Sequence, residues 1–147
     1  MVRQRGVTLI ELMIGIALLA ILALAIFPLG RAWVANQQIT KTEKEFLEAY
    51  SRAKNEALRN PNAVKGDDVA ATLKVNNTDK KIEVINSKND VIWEEVISPT
   101  ITVTLSTGCT TGHQQLTLNN NGYLRTDSCT FYNITASGGG NNASGSL

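Results

Sequence analysis

The hydrophobic pattern of the chain changes period twice. From Leu12 to Leu29 no side chain is charged and most are large and apolar. A run of about 20 such residues is long enough to cross a bilayer as a helix. From Arg31 to Asn60 neither glycine nor proline interrupts the chain, and Ile39, Phe46, Ala49, Tyr50, Ala53 and Ala57 recur at helical spacing. That spacing predicts an amphipathic helix. Lys41, Lys44, Glu45, Glu48, Arg52 and Glu56 are expected on its other faces, with Glu48 and Arg52 in the favourable acid-then-base order. Asn60-Pro61 ends it. Joined, the two halves predict one helix from about Val7 to Arg59, roughly 80 Å long at 1.5 Å per residue. A helix of that length must project beyond its own head.

After Gly66 the period becomes two. The segments VAATLKV, KIEVI, VIWEEVI, ITVTL and QLTL alternate apolar with polar residues and are rich in β-branched types. NNTD, SKND and NNNG separate them as turns, and Asn121-Gly122 is a strong two-residue hairpin signal. CTFYNI supplies a last strand. The expected head is an antiparallel meander of four to six strands over residues 61–136, laid on the second half of the helix. The fold class is therefore α+β. Residues 137–147, SGGGNNASGSL, read as a flexible tail.

Charge and candidate chemistry narrow the function. The net charge is +1, and beyond Val96 only Arg125 and Asp127 are charged, so no broad cationic field for nucleic acid exists. The single His113 has no acidic neighbour in sequence and reads as a surface loop residue. No nucleophile elbow, zinc-protease motif or phosphate loop is present, and Asp67-Asp68 lacks a calcium-loop ligand series. No enzyme activity, metal or cofactor is expected. Cys109 and Cys129 would suggest a redox or metal pair in a cytosolic protein, and a disulfide in an exported one.

Glu11 is the anomaly, because it sits one turn inside the apolar block. A carboxylate at a bilayer centre costs roughly 2.5–3.5 kcal/mol on insertion scales. A cleavable signal, with Arg3 and Arg5 ahead of it and Ala23-Leu24-Ala25 as a cleavage site, would have a shorter apolar core and no Glu11. A plain signal anchor fits the length and leaves Glu11 unexplained. Cleavage after Gly6 would explain both, since it retains the helix and places a new amine on Val7, one turn from Glu11. Glu11 of one copy could then meet the Val7 amine of the next, and such a pairing sets register between helices.

The stretch RGVTLIELMIGIALLAILALAIFP resembles the N-terminus of type IV pilins and type II secretion pseudopilins. The resemblance rests on Gly6, on Thr8-Leu9-Ile10-Glu11-Leu12, on the long apolar helix and on Pro28 at the family's helix-kinking position. Val7 stands where phenylalanine is usual, and Ala20 where major pilins commonly carry glycine. The resemblance implies a leader over residues 1–6 cut between Gly6 and Val7 by a prepilin peptidase, N-methylation of Val7, and assembly roles for Glu11 and Pro28. It implies a filament-core helix over residues 7–30, an amphipathic continuation over 31–60 and a pilin-like head. The Cys109–Cys129 loop falls where pilins carry a disulfide-bounded region.

SRAKNEALRN and LTLNNNGYLR resemble minor pilins and H-type pseudopilins. The expectation is thus a minor pilin or pseudopilin, a single-pass inner-membrane protein with a periplasmic head that later joins a pilus or pseudopilus. Its partners would be other pilins or pseudopilins in a helical filament, the prepilin peptidase and the inner-membrane assembly platform. Trp33 would anchor at the membrane interface or pack on a neighbour. The alternatives are a major pilin or a filament-displayed receptor, either an adhesin or a DNA-uptake pilin. DNA contact would have to use Lys74, Lys80, Lys81 and Lys88, which Asp79, Glu83 and Asp90 dilute, and nucleic acid is not the expected partner.

Overall fold

The computed structural model describes residues 6–106, 109 and 114–147, and the side chains of these except 25 and 27–29. The predicted helix is a single element, α1 (Leu9–Arg59), 51 residues long and so about 76 Å. It passes through Pro28 and Gly30 without interruption. It ends at Asn60, which takes a left-handed conformation with its amide bonded to the Glu56 carbonyl. The Asn60 side chain then holds both main-chain groups of Val64, at 2.8 Å each, which turns the chain toward the head.

Seven strands follow: β1 (Ala71–Asn76), β2 (Lys81–Asn86), β3 (Val91–Val96), β4 (Ile101–Ser106), β5 (Gln115–Leu118), β6 (Phe131–Ala136) and β7 (Ala143–Ser146). The expected meander is instead two antiparallel sheets, ordered β3-β2-β1-β5 and β4-β6-β7. Both early hairpins form where the turn residues predict. Asn76 Oδ1 accepts from the amides of Thr78 and Asp79, and Asn86 Oδ1 from those of Lys88 and Asp90. These side chains stand in for the first turn carbonyl, as asparagine does in tight turns. The Asn121-Gly122 hairpin shrinks to one bridge, Leu118 to Leu124, while β5 pairs along β1.

The tail also departs from expectation. Residues 143–146 pair with β6, so the low-complexity end is a strand. Its glycine permits this: a Cβ on Gly145 would lie 2.8 Å from the Tyr132 hydroxyl, closer than carbon and oxygen tolerate.

Alternation decides the buried face of each sheet. Leu73, Val75, Ile82, Val84, Leu116 and Leu118 point inward from the first, and Ile101, Val103, Leu105, Tyr132 and Ile134 from the second. Against them lie Ile39, Phe46, Ala49, Ala53 and Ala57 of α1, with Tyr50 partly buried. Three alanines one turn apart let the helix axis approach the sheet, and Phe46 fills the space beside Tyr132, ring centroids 5.0 Å apart. Glu56, expected on an outer face, is buried to 8% exposure, because it sits beside Ala53 and Ala57 on the helix surface and reaches outward to Arg59. Glu48 and Arg52 pair as predicted, at 2.7 Å, and the Arg52 guanidinium also lies over the Trp93 ring.

Candidate functional site

The N-terminal segment is built for presentation. Gly6 and Val7 precede the helix as exposed chain without regular structure. Among the described residues nothing crowds position 6: a Cβ there would meet no atom within 4 Å. Thr8 is the helix N-cap: its hydroxyl accepts from the Glu11 amide at 3.3 Å, and its carbonyl accepts from the Leu12 amide at 3.1 Å. The first answers one of the unpaired donors of a helix start, and the second is the first bond of the helix itself. Thr8 caps the helix, a role that periodicity alone does not reveal; the Thr-x-x-Glu spacing of a capping box is the signal that finds it.

Glu11 occupies the first turn, where the helix dipole favours a negative charge. It is exposed and, among the described residues, has no ion-pair partner. Around and beyond it the apolar side chains Leu9, Ile10, Leu12, Met13, Ile14, Ile16, Leu18, Leu19, Ile21, Leu22 and Leu24 are all exposed. A soluble monomer rarely shows an apolar surface so long. Among the described residues no helix is long and apolar enough to cross a membrane; the unbroken run of described apolar side chains stops at Leu24, with residues 25 and 27–29 outside the description.

In the head, Cys109 and Cys129 are joined by a disulfide. His113 lies outside the described residues, as do Arg3 and Arg5. The four lysines considered for DNA contact have local surroundings of their own. Lys80 donates to the Ile101 carbonyl at 2.7 Å, and Lys81 bonds Glu94 at 3.0 Å, a contact that raises the Lys81 pKa above its ordinary value. Lys74 stands opposite Glu83 in the β1–β2 register, and Lys88 lies in the β2–β3 turn. Among the described residues no group of histidine, cysteine or acidic side chains could hold a metal ion.

With this geometry in place, comparison with known families adds one finding. The family described as the prokaryotic N-terminal methylation motif matches residues 1–27. The motif marks the N-terminal segment of the chain as type IV pilin-like. The long N-terminal helix packed on antiparallel sheets fits that family. No curated protein and no solved structure gives a significant match to the chain. The pilin-type family is structural rather than enzymatic. Its motif implies prepilin peptidase processing, membrane anchoring before assembly, and filament assembly with other pilins.

Proposed function

We propose that this pilin-like chain is a minor pilin or pseudopilin, a structural subunit of a type IV pilus or of a type II secretion-type filament. The observation that carries the reading is the continuous α1, half of it clothed by the head and half bare and apolar with one carboxylate in its first turn. A bare apolar helix needs lipid or other helices around it, and a pilin-like subunit meets both in succession. Cleavage falls between Gly6 and Val7, Val7 is N-methylated, and residues 7–30 cross the inner membrane with the head in the periplasm. On assembly Glu11 pairs with the Val7 amine of a neighbour, which removes an unpaired charge from the apolar filament core. The minor or pseudopilin assignment is supported by the resemblance of SRAKNEALRN and LTLNNNGYLR to those groups.

The test is a blot of wild type, Gly6→Val and Glu11→Ala across membrane and sheared-filament fractions. Gly6→Val is expected as a slower-migrating precursor confined to the membrane. Glu11→Ala is expected to be processed, inserted and depleted from filaments. Normal incorporation of Glu11→Ala overturns the pairing, and an abundance of wild type equal to the main filament protein overturns the minor assignment.

A further inference from the structure

Where the bare helix enters the head, a groove of about 750 Å³ opens along α1. Ile26, Arg31, Val34 and Gln38 form its floor, and Thr100 and Gly138 overhang it from the β3–β4 and β6–β7 connections. The overhang is fastened to the helix: the Thr100 hydroxyl donates to Gln38 Oε1 at 2.6 Å, and the Asn141 amide to Asn36 Oδ1 at 2.8 Å. The groove is thus a fixed, mostly apolar channel carrying one charge, Arg31. Among the described residues Arg31 has no ion-pair partner.

Glu11 is the complementary case, a carboxylate on an apolar helix with no ion-pair partner among the described residues. The two charges lie twenty positions apart on one continuous helix, about 30 Å at 1.5 Å per residue. They cannot meet within a molecule. They can meet between two parallel copies displaced by that distance.

We infer that the groove receives the N-terminal helix of a second copy, with Glu11 of the incoming helix against Arg31 of the receiving one. An arginine fork suits a carboxylate held in apolar surroundings, because two parallel hydrogen bonds accompany the charge. In this register Ile14 of one copy faces Val34 of the other, each three residues beyond its charge, and both side chains are exposed in the single chain. The contact fixes an axial step of about 30 Å between these copies, twenty residues at the helical rise. It rests on the filament-subunit reading and requires at least two copies of this chain in adjacent positions of one filament. Glu11 has two carboxylate oxygens, so an Arg31 fork and a neighbouring Val7 amine can share it.

The experiment is cysteine cross-linking of the full-length chain with Ile14→Cys and Val34→Cys, oxidised in membranes and in sheared filaments. The native disulfide leaves these two introduced thiols to report. A product of twice the chain mass is expected from filaments. It should be lost on adding Arg31→Glu and return above the level of either single charge variant when Glu11→Arg accompanies it. Ile14→Cys with Leu47→Cys, about 20 Å farther along the axis, should not cross-link. An incorporated variant that forms no product overturns the groove contact and leaves the filament reading standing. So does a product unaffected by Arg31→Glu, or one with the mass of a different subunit. Absence of the wild-type chain from filaments overturns both.

Discussion

The side chain of Asn77 holds both main-chain groups of Val103. Its Nδ2 donates to the Val103 carbonyl at 2.7 Å, and its Oδ1 accepts from the Val103 amide at 3.1 Å. Gln114 does similar work one step along, accepting from the Leu105 amide at 3.1 Å, and Lys80 caps the Ile101 carbonyl. β4 is an edge strand, and edge strands expose unpaired donors and acceptors. Here the side chains of the first sheet cover that edge and join the two sheets into one head.

Asn77→Ala should therefore destabilise the head more than an exposed turn residue would. It strands a donor and an acceptor beside Val103, itself fully buried, and each stranded buried group costs roughly 1–3 kcal/mol. Urea unfolding followed by tryptophan fluorescence measures the loss. Hydrogen exchange should show the β4 amides opening first.

Tyr132 links the second sheet to the helix, its hydroxyl donating to Glu43 at 2.9 Å. Burial first, and then the bond to Glu43, raise the Tyr132 pKa above its ordinary value of 10.0; burial raises that of Tyr50 as well. A folded pKa above the unfolded one means that the native state holds the proton longer. The stabilisation is then fully present below about pH 10 and disappears as pH rises through the folded pKa. Unfolding midpoints should fall in alkaline solution, and less steeply for Tyr132→Phe. At neutral pH that variant should lose about 1 kcal/mol.

Gly145→Val should detach the terminal strand. A Cβ at this position would lie 2.8 Å from the Tyr132 hydroxyl and 2.9 Å from its ring, so either the ring moves or β7 leaves. Exchange of the β6 amides that face β7 should rise markedly while those facing β4 stay protected. A fall in stability of roughly 1–3 kcal/mol is expected from overpacking.

The disulfide closes a sequence separation of 20 residues, for which the chain-entropy relation gives about 3 kcal/mol. Cys109→Ser and Cys129→Ser should each lose that much. Cys129 is 1% exposed and Cys109 only partly buried. The serine hydroxyl at 129 therefore enters an apolar site, and Cys129→Ser should be the less stable by about 1 kcal/mol. Thermal melts rank the two, and helical circular dichroism should survive in both. Thiols titratable in protein purified without reductant would contradict the bond itself.

Local chemistry explains what could be read in advance. The α1 periodicity named Ile39, Phe46, Ala49, Tyr50, Ala53 and Ala57; five are buried and Tyr50 partly so, because a helix fixes which residues share a face. The asparagine turns placed both early hairpins. Glu11 was conspicuous because a charge inside an apolar run is visible without any fold. Glu56 escaped because a 3.6-residue period assigns borderline positions to either face, and the neighbouring sheet decides.

The residues alone determined one long helix with a bare apolar half, an antiparallel α+β head, and an N-terminal motif whose glycine and carboxylate stand at fixed places in sequence. These follow from interactions a few residues in range. Tertiary structure decided that β5 lies beside β1, that the strands split into two sheets, that Asn77 closes their seam and that the glycine-rich end is a strand. Alternation tells a strand which face to bury but not which neighbour to pair with. That choice depends on contacts far apart in sequence, on where the disulfide draws the chain, and on whether a side chain such as that of Tyr132 leaves room for nothing larger than glycine.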